Sequence, residues 1–186
     1  MAARLFVVSG PSGAGKGTLV SAVRRARPDL GLTVSATTRA PRPGEVDGVA
    51  YSFKTDAEFD AMVEAGEFLE WAHVAGHRYG TPVSEVERVL ASGHSLILEI
   101  DVQGGLNVKR LMDDAVLVFI EPPSMEELER RLRGRGTESD EDIALRLGQA
   151  AGETALAASY DARIVNDDLD RATAELLSTV EAFESE

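Results

Sequence analysis

The sequence predicts an α/β fold with three layers, in which helices cover both faces of a parallel sheet. Three continuous apolar runs indicate strands that are buried on both sides, at residues 5–9, 95–101 and 115–120. Segments with helical character separate these runs, and such alternation is typical of parallel sheets with right-handed crossovers. Residues 32–36 and 163–166 are shorter candidate strands.

Helices are predicted between and after the strands. One covers residues 17–27, directly after the first apolar run. Ser124 and Glu127 form a capping-box sequence that starts a helix over residues 124–133, and Ser139 starts a longer helix over residues 139–159. A last helix follows Leu169.

The alternation of strand and helix breaks between residues 37 and 90. This part contains a turn-rich loop over residues 39–44, a helix that starts at Thr55, a strand over residues 68–74 and a helix from Pro82 to about residue 93. We therefore predict a small α+β insertion over residues 37–90 and a helical lid region over residues 127–146. The core then consists of residues 1–36, 91–126 and 147–186, and the whole chain forms one unit.

Charge and composition limit the partners of this 186-residue chain. Its net charge of −13 makes nucleic acid or an acidic membrane surface an unfavourable main partner. No window approaches the run of about 18 apolar residues that a membrane-spanning helix needs. The absence of cysteine excludes disulfides and fits the cytoplasm, which is the location we expect. Whether the protein is a monomer or a homodimer stays open.

The stretch GPSGAGKGT predicts a loop that binds a nucleoside triphosphate. Its Gly-x-x-x-x-Gly-Lys spacing lies between a strand and a helix, where backbone N–H groups and the helix N-terminus converge on phosphate oxygens. Lys16 adds a positive charge. The predicted contacts are Gly10, Pro11, Ser12, Gly13, Ala14, Gly15, Lys16, Gly17 and Thr18.

Three side chains are candidates for a Mg²⁺ site. The usual motif has Ser or Thr directly after the lysine, whereas this chain has Gly17 there, so Thr18 is the available hydroxyl. Glu99 and Asp101 end the second apolar run, and carboxylates at the C-terminal end of a parallel strand face the ligand crevice. Either acid could instead be a solvated residue at a strand end.

A second anion site is indicated by Arg39 and Arg42. Two prolines stiffen the loop that carries them, and Ser35 and Tyr51 offer hydroxyls nearby. An isolated pair of arginines at this spacing is usually a solvated basic loop. Here the triphosphate loop upstream favours a site for a second phosphate group.

Six stretches in this chain resemble the guanylate kinase family: SGPSGAGKGTL, SATTRAPRPGEVDGVAYSF, GEFLEWAHVAGHRYGT, LEIDVQGG, RLRGRGTESDEDIALRL and IVNDDL. They cover nearly the whole chain. The resemblance implies a P-loop core with a GMP-binding insertion and a lid. It implies that ATP, with Mg²⁺, donates a phosphoryl group to GMP or dGMP, giving ADP and GDP. Gly17 and Glu99 depart from the commoner Ser and Asp of the family.

The resemblance also implies roles for individual residues. The GMP phosphate would be surrounded by Ser35, Arg39, Arg42, Tyr51 and Tyr79, and the guanine would be bound by Glu70, Thr81 and Asp101. Arg131, Arg135 and Arg146 resemble cations that close on the ATP phosphates, and Asn166 resembles the adenine-side contact. The catalytic group implied is Lys16, Arg42, Arg135 and Arg146.

The predicted chemistry needs no general base. A phosphate acceptor has a second pKa near about 6 and is already largely ionised, so alignment and charge neutralisation remain as the tasks of catalysis. Two alternatives stay open. One is a kinase for another nucleoside monophosphate such as AMP, and the other is a guanylate-kinase-like interaction module that binds a protein without catalysis.

Overall fold

The computed structural model describes residues 2–74, 76–134 and 139–186, with the side chain of Val74 not included. Within these ranges strands and helices alternate along most of the chain. In chain order the elements are β1 (Leu5–Ser9), α1 (Lys16–Ala26), β2 (Ala36–Thr37), β3 (Ser52–Phe53), α2 (Asp56–Glu64), β4 (Phe68–Val74), β5 (His77–Pro82), α3 (Val83–Ala91), β6 (Leu96–Glu99), α4 (Val102–Leu111), β7 (Val116–Glu121), α5 (Met125–Gly134), α6 (Asp140–Ala155), β8 (Ala162–Val165) and α7 (Leu169–Glu184).

The central sheet is parallel and has the strand order β6-β1-β7-β8. Val7, in the middle of β1, pairs with Leu98 on one side and Leu117 on the other. Because both faces of these strands are buried, the side chains of β1 alternate between two apolar clusters. Phe6 packs in the cluster that includes α1 and α7, and Val7 packs in the cluster that includes α3 and α4. The predicted α/β fold class is confirmed.

The predicted strand over residues 32–36 is wrong. Residues 32–35 form no strand, and Ala36, at the end of the predicted range, begins β2 in the other sheet. Gly31, just before the range, forms an isolated bridge to Leu96 at the edge of the central sheet. The backbone N–H of Val34 instead donates to the Glu85 carboxylate at 3.0 Å, which draws this segment toward α3. The predicted helix over 139–159 also ends earlier, with α6, and a short 3₁₀ turn over Ala157–Ser159 follows.

A second sheet, of order β3-β2-β5-β4, is formed by strands between Ala36 and Pro82, so it begins one residue before the range 37–90. Strands β4 and β5 form an antiparallel hairpin, and α2 packs against it through stacked rings of Phe59 and Phe68 whose centroids are 4.5 Å apart. The capping box of Thr55 and Glu58 is present at the start of α2, as predicted. None of the helices in the described part of the chain combines the length and apolar character needed to cross a membrane.

Close packing of α4 against β1 depends on Gly105. A Cβ at this position would lie 2.7 Å from Tyr160 Oη and 2.8 Å from Ser9 Oγ. Both hydroxyls donate to backbone carbonyls at the start of α4, Tyr160 to Val102 at 3.2 Å and Ser9 to Asp101 at 3.2 Å. Neither hydroxyl can therefore withdraw without losing its hydrogen bond, and the absence of a side chain at Gly105 lets α4 lie directly on the strand that leads into the phosphate loop.

We expect Gly105→Ala to destabilise the fold although alanine is the better helix former. Overpacking costs about 1–3 kcal/mol, which exceeds the gain of up to about 1 kcal/mol in helix propensity. Gly148→Ala in α6 is the matched control, because a Cβ there meets nothing within 4 Å. Urea unfolding should show a lower midpoint for Gly105→Ala and an unchanged or higher midpoint for Gly148→Ala. Equal shifts in both variants would contradict the packing argument.

Candidate active site

The phosphate loop, residues 10–18, consists of the connection between β1 and α1 and of the first residues of α1, at the carboxyl edge of the central sheet. Gly15 precedes α1 with φ of 89°, a left-handed conformation that favours glycine. A Cβ on Gly15 would lie 2.5 Å from the Nδ2 atom of Asn166. Glycine is therefore needed here both for the backbone turn and for the close approach of Asn166.

Hydrogen bonds from residues on other elements hold this loop in place. Asn166 is buried, and its Nδ2 donates to the Ala14 carbonyl at 2.8 Å. Arg131 donates to the Asn166 carbonyl at 2.9 Å and to the Glu127 carboxylate at 2.8 Å. Hydrogen bonds from Arg130 and Arg131 lower the pKa of Glu127 to about 2, so this carboxylate stays ionised. Arg131 and Asn166 thus support the backbone of the loop, and direct contact of either with ATP stays a prediction.

Two further cations contact the loop itself. Lys16 Nζ donates to the carbonyls of Gly10 at 2.6 Å and Pro11 at 3.0 Å. Arg146, on α6, donates to Ser12 Oγ at 2.8 Å. The structure therefore places both predicted cations at the phosphate loop. Arg135, the remaining predicted lid cation, lies outside the described residues.

Glu99 lies beside the position where the usual loop motif has a hydroxyl residue. A Cβ on Gly17 would be 3.2 Å from Glu99 Oε2, so the carboxylate of Glu99 lies against the space next to Gly17. Thr18 is exposed in the first turn of α1. Asp101 has a different environment, because its Oδ1 accepts from the Gly104 N–H at 2.7 Å and caps α4. The three candidate metal residues thus come from α1 and from the end of β6.

The predicted arginine loop is anchored at Arg39. Its guanidinium donates to the Glu45 carboxylate at 2.8 Å and lies over the ring of Tyr51, with 5.4 Å from Cζ to the ring centroid. The Glu45 hydrogen bond is the main cause of the raised pKa of Arg39. Tyr79 packs edge-on against Tyr51, with the ring centroids 5.9 Å apart. Arg42 is exposed on the same loop.

A cavity of about 450 Å³ lies between the second sheet and the carboxyl edge of the central sheet. The size fits a small-molecule ligand. Most of the residues predicted to bind the acceptor line this cavity, and Glu99 lines it as well: Ser35, Tyr51, Glu70, Tyr79, Thr81, Glu99 and Asp101. The fold thus brings together residues that are up to 66 positions apart in the sequence.

Glu70 is the carboxylate with the most unusual environment in the cavity. Thr81 Oγ1 donates to Glu70 Oε1 at 2.7 Å. Burial raises the pKa of Glu70, the hydrogen bond from Thr81 opposes this, and the nearby charge of Asp101 adds to the rise. Neutral hydrogen-bond donors that satisfy Glu70 would therefore be favoured ligands at this end of the cavity.

Sequence reasoning assigned no role to two acids at the site. Glu45 follows Arg42 by three residues, and that spacing across a Pro-Gly turn could have indicated its contact. Glu153, on α6, is close enough to Lys16 to feel its charge, and no local signal marks it because the two residues are far apart in the sequence. Burial raises the pKa of Glu153, and the charge of Lys16 opposes this rise.

Comparison with known proteins agrees with the geometry of the site. A family model described as guanylate kinase matches residues 2–183. The guanylate kinase of Thermobifida fusca is 53% identical over 179 residues, which cover 96% of this chain and 91% of that protein. The guanylate kinase of Rubrobacter xylanophilus is 52% identical over 174 residues, covering 94% of this chain and 91% of that protein.

A solved structure supports the same assignment. The crystal structure of guanylate kinase from Anaplasma phagocytophilum superimposes with a TM-score of 0.68 at 32% identity, covering 100% of this chain and 87% of that chain. The resemblance predicted from the six motifs is confirmed. A family match over nearly the whole length, with curated relatives about half identical, shows that the chain belongs to the guanylate kinase family.

Proposed function

We propose that this chain transfers the γ-phosphate of ATP to GMP or dGMP, giving ADP and GDP. The observation that carries the proposal is the cavity between the two sheets, which has the Glu70–Thr81 pair and the aromatic pair Tyr51 and Tyr79 in its lining. A guanine fits against Glu70, and its phosphate then lies toward the loop of Arg39 and Arg42. The cavity borders β6, next to the phosphate loop, so a donor triphosphate and an acceptor phosphate could meet there.

Guanine selection follows from the hydrogen bonds that Glu70 can accept. Guanine presents an N1–H and an exocyclic amine on one edge, and a carboxylate accepts from both. Adenine presents a lone pair at N1, which would face the carboxylate and leave it without that donor. Sites built on such hydrogen bonds reject an analogue by about 10⁴-fold or more. Thr81 orients Glu70, and Asp101 lines the same part of the cavity.

The charged residues supply alignment and neutralisation. In this proposal Lys16 exchanges its contacts with the Gly10 and Pro11 carbonyls for phosphate oxygens of ATP, and Arg146 approaches from α6. Arg135, which lies outside the described residues, is a further predicted cation. Arg42 neutralises the acceptor phosphate. Because that phosphate is already largely ionised, the residues at the site bring two anions together and no proton needs to be removed.

The donor set at the loop fits a magnesium ion. Mg²⁺ is usually held by one or two protein oxygens together with substrate phosphates, and Thr18, Glu99 and Asp101 are the predicted oxygen donors. Asp101 already caps α4 through Oδ1, which leaves Glu99 as the better-placed carboxylate beside Gly17. A Mg²⁺ ion held there would offset the negative charge of the phosphate groups.

The domain boundaries stay predictions. We propose that residues 37–90 act as the GMP-binding part and residues 127–146 as the lid, with both moving toward the core when nucleotides bind. A cytoplasmic location, and partners restricted to nucleotides, also remain predictions from composition.

The first prediction concerns the acceptor. With ATP and Mg²⁺, we expect rapid ADP formation with GMP and dGMP and little with AMP, because only guanine satisfies Glu70. A coupled assay of ADP release over a panel of nucleoside monophosphates measures this. Preference for AMP would support the other kinase class. Tight GMP binding without turnover would support the interaction module.

The second prediction concerns Glu70→Gln. An amide can donate to adenine N1, so GMP-over-AMP selectivity should fall about 10- to 100-fold while the KM for ATP stays the same. The empty variant should also be more stable at neutral pH, because it lacks a buried carboxylate. Unchanged selectivity would remove Glu70 from the guanine site.

The pH dependence of that stability gain has a definite sign. The raised pKa of Glu70 means that the folded protein binds the proton of this carboxyl group more tightly than the unfolded chain does. Protonation of Glu70 therefore stabilises the fold fully below pH 4.5, and this contribution is lost as the pH rises through the raised pKa. Thermal unfolding from about pH 4.5 to about pH 8 should therefore show the gap between Glu70→Gln and wild type widening with pH. A constant gap would contradict this.

The third prediction concerns Gly17→Ala. The added Cβ displaces the exposed Glu99 carboxylate by a few tenths of an ångström, so we expect turnover to fall by about tenfold while stability stays equal or rises by up to about 1 kcal/mol. Glu99→Asp withdraws the carboxylate by one methylene. The double variant should therefore lose less activity than the product of the two single losses, and independent effects would contradict the contact.

A further inference from the structure

The carboxylate of Glu45 joins two parts of the arginine loop. Its Oε1 accepts from the Arg39 guanidinium at 2.8 Å, and its Oε2 accepts from the Arg42 backbone N–H at 2.7 Å. The Glu45 N–H in turn donates to the Arg42 carbonyl at 3.0 Å, which closes the turn between them. One side chain thus sets both the direction of Arg39 and the backbone from which Arg42 projects.

Arg39 keeps hydrogen-bonding capacity for a ligand while it is held. A guanidinium has five N–H donors, and the contacts to Glu45 and to the Ala40 carbonyl, the latter at 2.8 Å, engage two of them. With its side chain only 11% exposed and lying over Tyr51, Arg39 has a defined orientation before any ligand arrives.

Two effects of Glu45 on anion binding oppose each other. Its negative charge near a phosphate site repels the phosphate, and its contacts hold the groups that bind the phosphate. Solvent and salt weaken the repulsion, because the side chain of Glu45 is 21% exposed at the surface of the loop. The contacts of Glu45 order this loop where its other neighbours restrain it little. Arg42 is exposed, and a Cβ on Gly44, which is in the left-handed conformation with φ of 89°, would meet nothing within 4 Å.

We propose that Glu45 is a positioning residue for the acceptor phosphate. By bridging the Arg39 guanidinium and the Arg42 backbone N–H, it orients Arg39 and fixes the backbone from which Arg42 projects before the phosphate binds. This inference rests on the proposed function, because it takes the arginine loop as the acceptor-phosphate site. The proposal predicts that removing the negative charge of Glu45 weakens phosphate binding. Electrostatic repulsion alone predicts the opposite, namely tighter phosphate binding.

The test compares binding of GMP and guanosine to wild type and Glu45→Gln by calorimetry. The amide has one acceptor oxygen, so it cannot bridge Arg39 and Arg42 as the carboxylate does. We expect GMP to bind about 5- to 30-fold more weakly, while guanosine affinity stays within about twofold. In steady-state assays the KM for GMP should rise, with kcat and the KM for ATP changing little.

Glu64→Gln is the matched control, because Glu64 is exposed on α2 in the same part of the fold. It should leave GMP and guanosine affinity unchanged, and far-UV circular dichroism should show both variants folded. Tighter GMP binding by Glu45→Gln would overturn the proposal, because it would show that the charge of Glu45 mainly repels the phosphate. Equal weakening of GMP and guanosine, or no change in either, would also overturn it.

The same experiment separates this inference from the proposed function. If wild type binds AMP better than GMP, the proposed acceptor is wrong, and the pair AMP and adenosine then tests Glu45 in the same way. If wild type prefers GMP but Glu45→Gln leaves the ratio of GMP to guanosine affinity unchanged, only the positioning role fails.

Discussion

The conformation of the phosphate loop depends on hydrogen bonds made to its outer side. A loop that points its N–H groups at a ligand leaves its carbonyls facing the protein, and those carbonyls need donors. Asn166 supplies one, because its Nδ2 donates to the Ala14 carbonyl. Since Asn166 follows β8 and the loop follows β1, the parallel sheet itself keeps donor and loop in register.

The site handles polyanionic nucleotides although the chain has a net charge of −13. Several acids near the site contact cations or helix termini and so orient the positive groups. Glu127 holds Arg131, Glu45 holds Arg39, and Asp101 caps α4. An acid used in this way costs little phosphate affinity when it is partly solvated, and it prevents an arginine from sampling unproductive orientations.

The buried carboxylate of Glu70 is unfavourable for stability but useful for the proposed function. Its burial beside Asp101 disfavours the ionised form, yet that form is the one that the proposed guanine contact needs. In the proposed complex, guanine would offset the cost by donating to the carboxylate where water has been excluded. The proposed selectivity would arise from the same cost, because a nucleotide that cannot donate leaves the carboxylate unsatisfied.

Local sequence patterns were sufficient to predict the fold class, the phosphate loop, most helices and the family. These features depend on short-range rules: apolar runs for buried strands, capping residues for helix starts and glycines for the loop. The predicted strand over residues 32–36 failed because a contact with Glu85, about fifty positions away, decides where that backbone goes. The bridge made by Glu45, the approach of Glu99 to Gly17 and the position of Glu153 near Lys16 also required the tertiary structure. Sequence patterns report what a residue can do, whereas the charge partner that orients it comes from another element and is decided only when the chain folds.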